Sequence, residues 1–385
     1  MDLESQHYPS SLYIHVPFCR HRCGYCNFTL VAGRDHLVDS YLHAVRKEIQ
    51  ALEQPQTVST LFFGGGTPSH LSAKNWEHLF DTVHSRFEFS HDAEVSVECN
   101  PEDLSNEKVR TLFDLGVNRI SLGVQSFDPS KLDFLERSHR QKDVQRSVDL
   151  IRGFTNNFSM DLIFGTPNET LASWNDELEA ALSFDPAHLS TYELTIEKGT
   201  SFWNRHQKSE FDTVNEDGRC ELYELTIEKA EQNGLMQYEI SSFAKSGFRC
   251  RHNQVYWNGG EYFAFGPGAS SYIAGTRNTN HRSTTTYIRR ITSGSSAVAE
   301  SDRLSRNQQA VERLVFGLRQ LDGVAIPSFE RQFGFSPVSL FGSELETLMG
   351  HGLLQISNDR VQLTRRGILL FDEIAVRLLN FEDHP

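Results

Sequence analysis

The chain is poor in the features that mark secreted and membrane-spanning proteins. It has six cysteines in 385 residues, too few for the disulfide framework of a secreted domain. No apolar run approaches the ~20 residues that cross a bilayer, and the polar start MDLESQHYPS does not predict a signal peptide. We therefore predict a protein of the reducing cytoplasm, in which Cys99, Cys220 and Cys250 are free thiols.

Positive charge is also scarce. The chain has 37 Lys and Arg residues against 51 Asp and Glu residues, a formal net charge of −14. Nonspecific binding to nucleic acid depends on Lys and Arg contacts with phosphate. We therefore predict no nucleic-acid partner.

The three remaining cysteines are concentrated in the segment CRHRCGYC, as Cys19, Cys23 and Cys26. A [4Fe–4S] cluster is usually held by four cysteines, and the next cysteine along the chain is Cys99. The C-x3-C-x2-C spacing therefore predicts a cluster with one iron left open. A structural zinc site is the alternative, with His15 and His21 available to complete it.

The first 200 residues alternate between β-rich runs and amphipathic helical stretches. One stripe, Leu37, Tyr41, Val45, Ile49 and Leu52, has the three-to-four-residue spacing of a helix face. Repeated βα units imply parallel strands with right-handed crossovers. We predict an α/β fold in which six units form a partial TIM-type (β/α)6 barrel, with strands at 12–16, 58–63, 94–98, 119–123, 159–163 and 189–193.

Unusual residues recur where these strands end. Cys19 follows the first strand, GGGTP follows the second, and Glu98 closes the third. Gln125 follows the fourth strand, and Asp161 lies in the fifth. Because sites in parallel α/β barrels are assembled at the carboxyl ends of strands, these side chains together predict one site.

The pattern changes in the second half. We predict a barrel domain over residues 1–275, a linker over the Ser-, Thr- and Asn-rich residues 276–302, and a C-terminal domain over residues 303–385. The tail GLLQISNDRVQLTRRG reads as strand, turn, strand and helix, which is typical of a winged-helix-like domain. Acidic residues outnumber basic ones there, which favours a lid or a partner-binding role over DNA binding.

The segment CRHNQVYW brings Cys250, His252, Tyr256 and Trp257 together. Imidazole, thiolate and phenolate are all axial ligands of heme iron. A buried packing cluster around a hydrogen-bonded histidine explains the same residues, and chemistry alone favours that interpretation.

The cysteine motif resembles that of the radical S-adenosylmethionine superfamily, in which the cofactor chelates the open iron. YIHVPFC and GYCNF are similar to the family of the anaerobic coproporphyrinogen oxidase and its heme-chaperone relative, over most of the chain. The resemblance implies a radical-SAM barrel with a [4Fe–4S] cluster on Cys19, Cys23 and Cys26. It implies S-adenosylmethionine contacts from Tyr13, Tyr25, Gly65, Gly66, Thr67, Glu98, Gln125, Arg137 and Asp161.

Within that family, HNxxYW is typical of the heme-chaperone branch, which reverses the preference for a packing cluster. The resemblance then implies heme binding by Cys250, His252, Asn253, Tyr256 and Trp257, and we expect His252 or Cys250 as the iron ligand ahead of Tyr256. The oxidase branch has a further cysteine where this chain has Phe28, and a longer arm than the 18 residues that precede Cys19.

We therefore expect a heme chaperone with a heme-accepting partner and an electron donor, which meets a membrane only through contact with an acceptor. The alternative is the oxygen-independent coproporphyrinogen III oxidase, which catalyses an oxidative decarboxylation in heme biosynthesis. A third interpretation is an interaction protein with a structural metal and no heme.

Overall fold

The computed structural model describes residues 9–380. The strands in that range, in chain order, are β1 (Ser11–Val16), β2 (Phe18–Cys19), β3 (Val31–Ala32), β4 (Gln56–Gly65), β5 (Phe87–Cys99), β6 (Arg119–Gln125), β7 (Phe158–Phe164), β8 (His188–Glu193), β9 (Met236–Glu239), β10 (Ser242–Ala244), β11 (Phe263–Phe265), β12 (Ser270–Ile273), β13 (Thr276–Asn280), β14 (Val298–Arg303), β15 (Val324–Ala325), β16 (Leu354–Ser357) and β17 (Arg360–Leu363).

The α-helices alternate with these strands in the first half and predominate in the last 80 residues. They are α1 (Val38–Gln50), α2 (Ala73–His84), α3 (Asn106–Asp114), α4 (Pro129–Phe134), α5 (Gln141–Arg152), α6 (Leu171–Ser183), α7 (Ser201–Gln207), α8 (Glu216–Gln232), α9 (Arg251–Trp257), α10 (Thr284–Thr292), α11 (Arg306–Leu318), α12 (Ile326–Phe333), α13 (Pro337–Gly350), α14 (Arg365–Leu369) and α15 (Phe371–Leu379).

The central sheet has nine strands in the order β11-β1-β4-β5-β6-β7-β8-β10-β9. The six predicted strands are its parallel centre, in sequence order. The predicted partial (β/α)6 barrel is therefore confirmed. The sequence did not indicate β11, which adds a seventh parallel strand beside β1, or the antiparallel pair β10 and β9 beside β8.

The core lies between this sheet and the helices that connect its strands. The β1 strand is buried along nearly its whole length, as expected for a parallel strand covered on both faces. The predicted α1 stripe turns inward, with Tyr41, Val45 and Ile49 fully buried. Leu37 and Leu52, at the two ends of the stripe, are partly buried against the same core.

Residues 276–302 correct the sequence-based expectation of a linker. They form β13, α10 and β14, and β13 lies between β12 and β14 in a three-stranded antiparallel sheet. The segment is polar because most of its strand residues are half-buried or exposed. One aromatic side chain anchors it, since Tyr287 is fully buried and its hydroxyl donates to Glu48 Oε2 over 2.6 Å.

The C-terminal region has the winged-helix-like character that the sequence predicts. Its small sheet has the order β15-β17-β16, packed with helices α11 to α15. The hairpin turns at Asn358 and Asp359, both at positive φ, as a tight hairpin with these residue types requires. Within residues 9–380, no helix is long and apolar enough to cross a membrane.

Candidate cofactor and heme sites

The cluster loop is held in place by its own basic residues. Arg20 pairs with Asp103 at 2.9 Å, and His21 Nε2 lies 3.0 Å from Glu136 Oε2. Arg22 donates to the carbonyl oxygens of Cys26, Phe28 and Leu30. The first two contacts tie the segment between β2 and β3 to neighbouring parts of the barrel, and the Arg22 contacts join the segment to itself, so the three cysteines lie on a loop with a defined shape.

All three cysteines line one cavity of about 370 Å³. Cys19 is buried, and its Sγ lies 3.1 Å from the Thr67 hydroxyl. Burial raises the pKa of the Cys19 thiol to about 12 and also raises the pKa of Cys26. Because iron binds the thiolate, assembly of a cluster here must displace these protons.

The same residues can be compared with the requirements of a structural zinc site. Within residues 9–380, no group of three or more His, Cys, Asp or Glu side chains is placed to hold a single metal ion. His15 is engaged elsewhere, with Nδ1 at 3.0 Å from the Tyr13 hydroxyl and Nε2 at 2.7 Å from the Thr29 carbonyl. The three thiols instead surround a shared space, which suits a cluster in which each cysteine binds a different iron.

The glycines after β4 bring the backbone up to this cavity. Gly65 has a φ of +121°, and a Cβ there would come within 2.6 Å of the His15 ring. Only glycine accommodates that backbone conformation without strain. The Gly65 N–H donates to Glu98 Oε2 over 3.1 Å, which fixes one carboxylate at the cavity wall.

Two carboxyl groups, Glu98 and Asp161, face the cavity from β5 and β7. Burial, reinforced by the charge of Asp161, raises the pKa of Glu98 to about 8. The pKa of Asp161 is also raised by burial. Asp161 accepts hydrogen bonds from the hydroxyls of Ser121, at 2.8 Å, and Ser159, at 3.0 Å. Two buried carboxyls with raised pKa favour a ligand that carries positive charge and hydroxyl donors.

Gln125 and Arg137 complete the polar wall. Gln125 adopts a positive φ of 64° beside an irregularity in the pairing of β6 with β7, a strained arrangement of the kind found at functional sites. Arg137 Nη2 donates to Asn100 Oδ1 and to the Gly123 carbonyl. Its Nε is buried without a partner among the described residues, so Arg137 retains a donor for an anionic group.

The predicted cofactor residues therefore converge, with one exception. Tyr25, Gly65, Gly66, Thr67, Glu98, Gln125, Arg137 and Asp161 line the cavity together with the three cysteines. Tyr13 is not among the lining residues; its ring stacks near Phe62 and His252, with centroids 6.3 and 6.4 Å away. Tyr13 therefore lies outside the lining of this cavity, and its predicted contact with the cofactor stays a prediction.

The sequence analysis did not select Asn100, Ser121 or Tyr192 as cofactor residues, although all three line the cavity. Asn100 joins two selected residues, since its Nδ2 donates to Thr67 Oγ1 over 3.2 Å and its oxygen accepts from Arg137. Asn100 could have been selected from the sequence, because it directly follows a strand. Ser121 is harder to find, because its role depends on the β6–β7 register that places it next to Asp161.

The HNxxYW segment forms helix α9, and the His252 ring centroid lies 6.4 Å from that of Tyr13. The Glu94 carboxylate accepts the backbone N–H groups of Arg251 and His252 at 3.1 and 3.0 Å, which satisfies free donors at the start of the helix. Cys250 is buried, and its Sγ lies 3.7 Å from Glu94 Oε1. Asn253 follows His252 in the same helix and is half-buried.

His252 is buried with both ring nitrogens engaged, Nδ1 at 2.8 Å from Thr60 Oγ1 and Nε2 at 2.7 Å from the Tyr256 hydroxyl. Burial lowers the pKa of His252 to about 3. Tyr256 and Trp257 differ from His252 and Cys250, because they line a second cavity of about 350 Å³. The assignment of these residues to heme stays a prediction.

The sheet topology and the cavity residues define a radical SAM protein. The sequence profile of the radical SAM superfamily matches residues 13–181, and that of the HemN C-terminal domain matches residues 304–370. The chain is 40% identical to the heme chaperone HemW of Bacillus subtilis, over 94% of this chain and 97% of that protein. It is 34% identical to the heme chaperone HemW of Lactococcus lactis, over 96% of this chain and 97% of that protein. The chain belongs to the HemW family, which confirms the resemblance inferred from its motifs.

The fold is also similar to a solved structure of coproporphyrinogen III oxidase (HemN) from Escherichia coli. The TM-score is 0.86 at 23% sequence identity, over 99% of this chain and 92% of that chain. This likeness concerns the fold and confirms the predicted barrel architecture. The [4Fe–4S] cluster and S-adenosylmethionine of the radical SAM family fit the cavity, because three thiols, two carboxyls and an arginine donor line it together.

Proposed function

We propose that this protein binds heme beside its [4Fe–4S] and S-adenosylmethionine site and passes the heme to an acceptor protein. One observation carries the proposal. The HNxxYW segment presents Tyr256 and Trp257 to a cavity of their own, in a chain whose first cavity gathers the predicted cofactor residues other than Tyr13. In radical SAM proteins the cofactor supplies a radical when the cluster reduces it; this chain's residues bind, orient and enclose it.

The exposure of each side chain ranks the candidate ligands of the heme iron. Cys250 and His252 are each about 1% exposed, and a ligand reaches them only if the surrounding contacts open. Tyr256 already lies in a cavity wall, and a phenolate is an established heme ligand. We therefore reverse the order expected from the sequence and place Tyr256 ahead of His252 and Cys250 as the iron ligand, with Asn253 and Trp257 in supporting roles.

The proposed function also requires partner proteins. A protein that holds a reducible cluster requires an electron donor, and a chaperone requires a heme-accepting protein. We infer that both act in the cytoplasm, and that any membrane contact occurs through the acceptor. The oxidase alternative receives no specific support, because Phe28 is 60% exposed at the rim of the cluster cavity where the oxidase branch has its further cysteine.

The test is a hemin titration of the anaerobically reconstituted protein, followed by absorption spectroscopy. Single alanine variants at Cys250, His252 and Tyr256 are compared with wild type, and Cys220→Ala serves as a matched thiol control away from the cavities. We expect Tyr256→Ala to change the spectrum as well as the affinity, because it removes an iron ligand. Wild-type spectra and affinities in all three variants would contradict heme binding at this segment.

A decarboxylation assay separates the chaperone from the oxidase. Under anaerobic reducing conditions with S-adenosylmethionine, we expect no conversion of coproporphyrinogen III to protoporphyrinogen IX. Sustained product formation would establish the oxidase instead.

A further inference from the structure

The second cavity lies where the barrel meets the C-terminal domain. Helix α9 and the β12–β13 hairpin form one side, and helices α11 and α12 form the other. Its wall is mainly aromatic, with Tyr256, Trp257, Tyr262, Tyr272, Phe316 and Phe333. Most of these side chains are half-buried, so a ligand reaches them from solvent. Tyr256 and Tyr262 pack edge to face, with centroids 4.6 Å apart.

Positive charge is concentrated in this wall, although the chain as a whole carries a net charge of −14. Three arginines line the cavity against one glutamate. Arg277 forms a bidentate pair with Glu312 at 3.0 and 2.6 Å, and Arg319 pairs with Glu239 at 3.1 Å. The charges of these two arginines are therefore already balanced by carboxylates.

Arg313 differs from Arg277 and Arg319 in its charge environment. In the part of the chain that the structure describes, it forms no ion pair with a carboxylate; its Nη1 lies 3.5 Å from the Trp257 carbonyl oxygen. Burial and the nearby positive charge of Arg360 lower the pKa of Arg313 to about 10. A partly desolvated cation without a counter-charge is unfavourable, so the site favours an anion. The guanidinium has the planar donor geometry that a carboxylate matches.

We propose that the second cavity is the heme site, in which the aromatic side chains pack on the porphyrin ring and Arg313 binds a porphyrin carboxylate. The proposal rests on the proposed function and adds to it the site, the anchoring residue and a role for the C-terminal domain. Aromatic walls suit a flat apolar ring. Tyr256 lies in the same wall, with its hydroxyl held by the buried His252, so ligation of the iron by Tyr256 requires that this hydrogen bond break. Helices α11 and α12 supply Arg313, Phe316 and Phe333, so the C-terminal domain forms part of the binding site.

The test uses the full-length protein and two ligands, hemin and hemin dimethyl ester, whose carboxylates are blocked. Affinities are measured by absorption titration for wild type, Arg313→Gln, and Arg331→Gln as a control on exposed surface of the same domain. A charge-assisted hydrogen bond corresponds to about a ten- to hundredfold change in affinity. We expect Arg313→Gln to lose that factor for hemin and little for the ester, and Arg331→Gln to match wild type for both ligands.

If Arg313→Gln fails to fold, the wild-type protein alone still tests the proposal. Its affinity for hemin must exceed its affinity for hemin dimethyl ester by about ten- to hundredfold. If wild type binds both ligands equally, or if a folded Arg313→Gln variant binds hemin as wild type does, the heme lies elsewhere and only this proposal fails. If wild type binds neither ligand, the proposed function fails, and the site assignment fails with it.

Discussion

His252 Nε2 lies 2.7 Å from the hydroxyl oxygen of Tyr256. Thr60 donates to Ser11 over 2.9 Å, so the Thr60 oxygen accepts from His252 Nδ1, and Nε2 is left to accept the Tyr256 O–H. The buried histidine therefore fixes the hydroxyl of Tyr256, the tyrosine of the HNxxYW motif, which lines the second cavity. This pair explains how a motif can be a packing cluster at one end and a ligand-binding surface at the other.

The first prediction concerns the three cysteines that hold the cluster. Cys23→Ala should abolish the brown chromophore of the anaerobically reconstituted protein, because one iron loses its thiolate. Cys220→Ala, outside the cavity, should retain it. Iron and sulfide analysis with absorption spectroscopy makes the comparison. A Cys19, Cys23 and Cys26 triple variant that still held about four irons per chain would contradict the assignment.

Glu98 predicts a pH dependence for cofactor binding. Its pKa of about 8 leaves the carboxyl largely protonated at pH 7, and a positively charged cofactor favours the ionised form. Binding should therefore release up to about one proton at pH 7, and affinity should rise with pH up to about 8. Calorimetry in buffers of different ionisation enthalpy measures this release. Glu98→Gln should abolish it; the same release in that variant would assign the proton to another group.

We predict that removal of the Asp161 carboxylate lowers the affinity for S-adenosylmethionine without unfolding the protein. Two serine hydroxyls hold its carboxylate in position, so a charge-assisted contact with the cofactor corresponds to about 1.5–3 kcal/mol. Asp161→Ala should weaken S-adenosylmethionine binding roughly tenfold or more, whereas the exposed Asp149→Ala should not. Unchanged affinity in both Asp161→Ala and Glu98→Ala would remove these residues from the site.

Glu48 predicts how stability changes with pH. Burial raises its pKa from 4.5 to about 7, so the folded protein keeps this proton to higher pH than the unfolded chain. Its contribution to the free energy of unfolding is therefore lost as pH rises from about 4.5 to about 7, by up to about 3 kcal/mol. Glu48→Gln should remove this part of the pH profile in denaturant unfolding, while the exposed Glu88→Gln should follow wild type. A Glu48→Gln profile parallel to wild type would show that Glu48 does not titrate in this range.

The sequence predicted the barrel and the first cavity well, because both depend on local signals. Each parallel strand is marked by its apolar run, and Gly65, Gly66, Glu98 and Gln125 lie at or next to the end of a strand in sequence. The contacts it missed join distant segments, such as Ser121 with Asp161 and Arg313 with Trp257. The error at residues 276–302 has the same origin, because Tyr287 anchors that polar segment through Glu48, which lies on α1.

The central claim is tested most directly by heme transfer. The protein is loaded anaerobically with one equivalent of hemin, freed of unbound heme, and mixed with apomyoglobin as a general acceptor, and the Soret spectrum is followed over time. We predict that a stable complex forms and that its heme passes to the acceptor, with Tyr256→Phe giving a complex that forms more weakly. Failure of the wild-type protein to retain any hemin after removal of the excess, or retention without any transfer to apomyoglobin, would contradict the chaperone function.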